Sequence, residues 1–405
     1  MSFTIALSGI NAANTDLNTI SNNIANANTT GFKDSQAEFG DYFQNGAYNL
    51  QSNNVGDGVG TETIAQQFTQ GSITNTSNPL DLAISGQGFF TMKDNGALVY
   101  TRDGAFTTDN NGYVVGATGE RLQVYPPLSG GTTFSTGTLS DLQLSTAPNP
   151  PSATTTIGAG VNLPANATAP ANATFSPTDS TSYNQTTSTT IYDSEGAAHT
   201  MGLFFVAGAT PGSWTVHTVV DGSEVGTGTA MTFGSSGMLA TPANGQVPVA
   251  FTPTDGAAAL SATLNLSGAT QYGSSFAVNS LTQDGYATGQ LNGVAVSSAG
   301  VVSANYSNGK TTVLGQVAMA NFADPQGLQQ LGNATWAQTY ASGAAVPGSA
   351  GISDFGSLQS GALESSNVDL TTQLVDMMNA QRNYQANSQV ISTDDQLLQT
   401  ILHLQ

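Results

Sequence analysis

The chain has no cysteine among its 405 residues. Disulfides, thiolate nucleophiles and cysteine metal sites are thereby excluded, and the absence fits a protein that crosses compartments. Basic residues are almost as scarce. Six Lys and Arg face 26 Asp and Glu, for a formal charge of -20. Three Lys and three Arg spread along the chain cannot build a phosphate-neutralising patch, so nucleic-acid binding is excluded. The same scarcity argues against docking on anionic lipid. Charged residues of both signs make up 8%, against about 25% in ordinary soluble domains. No run approaches about 18 apolar residues, so no membrane insertion is expected. The first twenty residues lack a basic region and a long apolar core, so export, if any, is expected without a cleaved leader.

What is present is mostly small: 46 Gly, with many Ala, Ser and Thr. The length predicts two to four domains. The two ends read as helix. Phe3, Leu7, Ile10, Asn14, Leu17, Ser21, Ile24 and Asn28 recur at alternating spacings of four and three, a heptad seam with polar interruptions. Thr29, Thr30 and Gly31 stop that helix, with Gly31 free to adopt a left-handed cap. Near the other end Leu370, Leu374, Met377, Gln381, Tyr384, Ser388, Ile391, Asp395, Leu398 and Leu402 keep the same alternation, and Asn367 or Asp369 is the expected N-cap. Such long stripes must pair with each other, with other subunits, or both. The Asn-rich N-terminal segment fits an interface in which side-chain amides bridge neighbours, with Asn14 and Asn28 on the seam.

Between the ends the period switches to two. Asn95-Gly96, Asp103-Gly104 and Asn111-Gly112 punctuate alternating apolar and polar residues and predict hairpin turns. Residues 29–70 read as an extended connector, with helical turns near 35–44 and apolar anchors at Phe32, Phe39, Tyr42, Phe43 and Tyr48. Residues 71–145 and 283–360 read as two parts of one β domain. Residues 146–282 read as an inserted β domain opened by a Pro-rich linker near 146–182. Residues 1–28 and 361–405 carry the two helices. The fold class is thus mixed: β domains nested between terminal helices that form a coiled-coil-like core in a polymer.

No constellation for catalysis is visible, and no cofactor or metal is expected. His199 and His217 have no specified third ligand, and His403 at a helix C-terminus is explained by the dipole. The run Thr108-Asp109-Asn110-Asn111-Gly112 lacks the ligand spacing of a calcium loop and reads as turn chemistry.

The N-terminal LSGINAANTDLNTISNNIANANTTGFKDSQAEF resembles the signature of bacterial flagellar rod and hook axial proteins, centred on Ser21, Asn22, Asn23, Ile24, Ala25 and Asn26, then Thr30, Gly31, Phe32 and Lys33. Ser366, Asn367, Val368, Asp369 and Leu370, with Gln381, Arg382, Asn383, Tyr384, Gln385, Ala386 and Asn387, are similar to the matching C-terminal motif. ISGQGFFTM and YTRDGAFTTDNNGYVV resemble the first β-domain motif of that family. Three further pieces resemble the hook members in particular: Ile191 to Gly196 followed by His199; YSNGKTTVLGQVAMANFADPQGL at 306–328; and Gly332-Asn333 with Trp336 before Ser342-Gly343.

The resemblance implies a non-enzymatic structural subunit of the bacterial flagellar hook. Copies would self-assemble into a curved, flexible, hollow tube that carries torque from rod to filament as a universal joint. The alternative is another axial protein, of the distal rod or the hook-filament junction. Implied partners are further copies of itself, the distal rod protein, the hook cap protein, the junction protein, the flagellar export apparatus and the hook-length control protein. The implied place is outside the cell, in the hook. The expected assembly seam is Phe3, Leu7, Ile10, Asn14, Leu17, Ile24, Leu370, Leu374, Met377, Tyr384, Ile391, Leu398 and Leu402.

Overall fold

The computed structural model describes residues 2–42, 56–128, 131–145, 147–254 and 256–403. Phe43 and Tyr48 lie outside the described residues, and of Leu402 and His403 only the helical backbone is described. The fold is mixed, with terminal helices flanking β-sheet. It divides into two compact units: Met1–Ser145 with Gly293–Asn305 and Thr311–Gln405, and Thr146–Asn292 with Tyr306–Lys310.

In the first unit α1 spans Ser2–Ala25 and α2 spans Leu370–His403. Asp369 caps α2: its Oδ1 accepts from the Thr371 N–H at 2.8 Å. Past α1 the chain turns through Gly31, held at a φ of 68°, where a Cβ would lie 2.5 Å from the Asp103 nitrogen. Only glycine combines that left-handed backbone with so close an approach.

The helical turns expected near 35–44 are not formed. Ser35–Tyr42 is a strand, paired antiparallel with Gly58–Gln66 from Ser35↔Gln66 to Tyr42↔Gly58. Glycines permit it, since the Tyr42 ring lies across Gly60 where any side chain would collide. Pairing with a distant segment overrides local propensity here.

The body of this unit is a 13-stranded sheet. Leu82, Phe90, Met92, Phe106, Leu122, Val317 and Met319 fill its core. Asn95-Gly96, at φ of 47° and 94°, joins Phe89–Asp94 to Ala97–Thr101 as expected, and Asn111-Gly112 lies between Thr107–Thr108 and Val114–Val115. Asp103-Gly104 does not form a hairpin. The Leu82 N–H donates to the Gly104 carbonyl at 3.0 Å, and the Leu82 carbonyl occupies the place of a Gly104 Cβ. This glycine serves a close backbone crossing rather than a turn.

The second unit consists of two five-stranded sheets. One runs in order Gln185–Tyr192, Ala198–Ala207, Ser213–Val220, Ser223–Phe233 and Leu239–Thr241. The other is centred on Thr156–Pro164, parallel to Leu260–Asn265 and Thr270–Tyr272 and antiparallel to Ala277–Gln283. The inner faces share one core of Ile157, Val161, Leu163, Leu203, Phe205, Val216, Met231 and Leu264. Thr156–Pro164 corrects the reading of 146–182 as linker: a largely buried strand sits inside the Pro-rich stretch. Pro164 ends it and the other prolines lie outside it, and its own residues alternate Ile157, Ala159, Val161 and Leu163 toward the core.

Candidate functional site

The terminal helices pack against each other antiparallel. Asn23 faces Gln373 at one end and Gly9 faces Asn387 at the other. The contacting faces carry Ala6, Gly9, Ala13, Asp16, Ile20 and Asn23 on α1, and Gln373, Asp376, Ala380, Asn383 and Asn387 on α2. Both sets keep the four–three alternation. Each sits one residue before the expected seam, a rotation of about 100° around the helix.

Small and polar residues build this interface. Ala6, Ala13 and Ala380 are buried, and a Cβ on Gly9 would lie 2.7 Å from the Asn387 side chain. The Asn23 amide is fully paired. Its Nδ2 donates to the Ser35 carbonyl at 2.7 Å and to Gln373 Oε1 at 3.1 Å, and its Oδ1 accepts from the Ser35 N–H at 2.9 Å. A cleft of about 450 Å³ opens beside this contact, lined in part by Asp16, Asp34 and Asp376. Burial, then the Asp376 charge, hold the Asp16 carboxyl above the usual carboxylate range.

The expected seam points elsewhere. Phe3, Leu7, Asn14, Leu370, Leu374, Tyr384 and Leu398 are exposed, while Ile10, Leu17, Ile24, Met377 and Ile391 are half-buried. Of the motif residues, Ser21, Asn22, Ala25, Gln381, Arg382 and Ala386 are exposed. Asn26, Val368 and Asn387 are half-buried, and Gly31 and Phe32 are buried. Asn367, the other candidate cap, instead ties the root of α2 to the chain after α1. Its Oδ1 accepts from the Asp34 N–H at 2.8 Å and its Nδ2 donates to the Gln67 carbonyl at 2.8 Å.

Below the helix pair lies a buried ionic cluster that sequence reading missed. Lys33 Nζ stands 2.7 Å from Glu364 Oε1, and Arg102 Nη1 stands 3.2 Å from Glu364 Oε2. Side-chain exposure is 0% for Lys33 and Glu364 and 3% for Arg102. Lys33 also donates to the Thr69 carbonyl at 2.7 Å, the Gly71 N–H donates to Glu364 Oε1 at 2.9 Å, and Arg102 Nη2 donates to the Gly86 carbonyl at 2.9 Å. Burial pushes both cations below their ordinary values, and Glu364 opposes that push. Lys33 follows α1, Glu364 precedes α2 in the strand Ala362–Glu364, and Arg102 follows the strand Ala97–Thr101 of the sheet. The roots of both helices are thus joined to the β body by charge-assisted bonds. The one sequence clue was that four of only six basic residues, Lys33 and Arg102 among them, fall inside family-like motifs.

In the second unit His199 and His217 each meet carboxylates, at Asp193 and Asp221 and at Glu224. Among the described residues no three His, Asp or Glu form a metal-holding group, and no helix is long and apolar enough to cross a membrane.

Four stretches of the chain match known protein families. Residues 3–33 match the family described as flagella basal body rod protein, and 359–404 match the flagellar basal body rod FlgEFG protein C-terminal family. Residues 83–176 match the flagellar hook protein FlgE/F/G D1 domain, and 162–286 the flagellar basal body protein FlaE D2 domain. The flagellar hook protein FlgE of Salmonella typhimurium is 40% identical over 422 residues, covering 100% of both chains. That of Escherichia coli is 39% identical over 413 residues, again covering 100% of both. The crystal structure of Helicobacter pylori flagellar hook protein FlgE2 shares the fold at a TM-score of 0.53 and 15% identity, covering 72% of this chain and 100% of that one. With full-length identity at this level to the curated relatives, the chain belongs to the flagellar hook protein FlgE family.

Proposed function

We infer that the chain is a structural axial subunit of the bacterial flagellar hook, built to bind further copies of itself rather than to turn over a substrate. The observation that carries this reading is the apolar stripe left outside the helix pair. Phe3, Leu7, Leu370, Leu374, Tyr384 and Leu398 are exposed although α1 and α2 have already found each other. Fully burying a Leu or Phe contributes about 1.5–3 kcal/mol, so the stripe is a strong drive toward neighbours. In this reading the helices of many copies form a coiled-coil-like inner core, with the stripe as the seam. Residues 71–145 and 283–360 form the middle layer and 146–282 the outer one.

The tube then works as a universal joint because its parts differ in stiffness. Lys33, Arg102 and Glu364 join the helix roots to the sheet, so torque entering the core reaches the β body of each copy. A chain with 8% charged residues has few ion pairs to break when neighbours slide. Family membership supports the remaining partners: distal rod, cap and junction proteins, the export apparatus and the length-control protein. It also supports a place outside the cell. Electron microscopy of polymer grown from the purified chain tests the reading. Curved tubes are expected from wild type and none from Leu374→Asp; tubes of normal form from that variant would contradict the seam.

A further inference from the structure

His199 lies on the strand Ala198–Ala207 of the second unit, with a carboxylate at each ring nitrogen. Nδ1 is 2.6 Å from Asp221 Oδ2 and Nε2 is 3.4 Å from Asp193 Oδ2. A neutral imidazole carries one N–H, so one of its nitrogens would present a lone pair to a carboxylate oxygen; an imidazolium donates to both. Both acids are held as anions by donors. Asp193 Oδ1 accepts from the Glu195 and Ala197 N–H groups at 2.9 and 2.8 Å, and Asp221 Oδ1 accepts from the Thr200 N–H at 2.9 Å. Asp193 has no exposed side-chain surface, and that of His199 is 11%.

The three residues come from different places. Asp193 belongs to the turn after Gln185–Tyr192. Asp221 opens the Asp221-Gly222 turn, at φ of 49° and 81°, between Ser213–Val220 and Ser223–Phe233. On the other side the Phe251 ring, from Gln246–Phe251 of the opposite sheet, meets the imidazole edge-on at 5.0 Å. The charged groups facing the ring are Asp193 and Asp221, and the element from the second sheet contributes only the apolar Phe251.

We propose that His199 is held as an imidazolium that staples two turns at one end of this sheet, giving the second unit a proton-dependent clamp. The clamp explains why a chain with three histidines places one in the Asp193 to His199 segment. Burial alone would lower the ring's affinity for protons, but the bonds from Asp221 and Asp193 outweigh it and raise His199 above its ordinary value of 6.5. For a group raised in the folded state, the stabilisation is complete below the unfolded value and is lost as pH rises through the folded one. The clamp is therefore still closed at about pH 6.5 and opens only as pH rises through the raised folded value.

The test uses the full chain with 13Cε1-labelled histidine, the His199 resonance being assigned by its loss in His199→Gln. His199 should titrate above 6.5, and Asp221→Asn, which keeps an acceptor for Thr200, should move its midpoint down. In thermal unfolding, wild type should exceed His199→Gln most at about pH 6, and the gap should close by about pH 9. A His199 midpoint at or below 6.5, or an unfolding gap independent of pH, would overturn the clamp. If His199→Gln fails to fold, the comparison of wild type with Asp221→Asn decides in the same way.

Discussion

On α2, Ala380 is 1% exposed while Leu374, less than two turns away, is 53% exposed. In the second unit the balance is reversed: Leu203, Phe205 and Leu264 are sealed, and of the large apolar strand residues Tyr272 and Val278 are the ones left exposed among the described residues. One region buries mainly small and polar residues and leaves most of its large apolar ones outside; the other buries most of what is apolar. The sandwich satisfies itself within one chain. The helix pair is complete enough to hold its geometry but leaves apolar area for another copy to cover. An Ala, Gly and Asn interface can bring two helices together without consuming the Leu, Met and Phe needed elsewhere.

The largest effect should come from the stripe. Leu17→Asp combined with Leu374→Asp is expected to abolish polymer in sedimentation while leaving the thermal unfolding of the second unit unchanged. Burying an unpaired carboxylate at a contact between copies is costly, whereas in the monomer Leu374 is exposed and Leu17 half-buried, and both lie outside the second unit. The ionic cluster comes next. Glu364→Gln leaves Lys33 and Arg102 facing each other without an anion, and denaturant unfolding should show a loss of about 3–5 kcal/mol in the first unit. If the two regions are as separate as their cores, Leu203→Ala should cost about 2–5 kcal/mol, confined to the second unit, and tubes should still form.

The smallest effect concerns Asp16. Burial and then Asp376 raise it above 3.8, so the protonated form suits the folded state. Its favourable contribution is complete below 3.8 and is lost as pH rises through the folded value. Asp16→Asn should therefore match wild type in helix melting at about pH 3.5 and exceed it at about pH 7; the reverse order would mean that the carboxylate is favoured there.

The heptad alternation was legible at both ends, as were the hairpins at Asn95-Gly96 and Asn111-Gly112 and the Asp369 cap. The face that α1 and α2 turn to each other was not. Its residues are Ala, Gly, Asn, Gln and Asp, which no hydrophobic pattern marks, and the visible stripe beside it carries the same spacing one residue later. Lys33 and Glu364 are 331 positions apart, so their pairing exists only after folding. The strand at Thr156–Pro164 was hidden by the prolines around it, and the one at Ser35–Tyr42 by its dependence on Gly58–Gln66.

The central claim is that the stripe faces solvent in one copy and is covered by others in the polymer. A chain without cysteine makes this directly measurable. Leu374→Cys and Ala380→Cys each introduce a single thiol, to be followed by its rate of maleimide labelling in monomer and in sedimented polymer. The account predicts fast labelling of the thiol at 374 in monomer and strong protection in polymer, with the thiol at 380 slow in both. Equal labelling at 374 in monomer and polymer would contradict it.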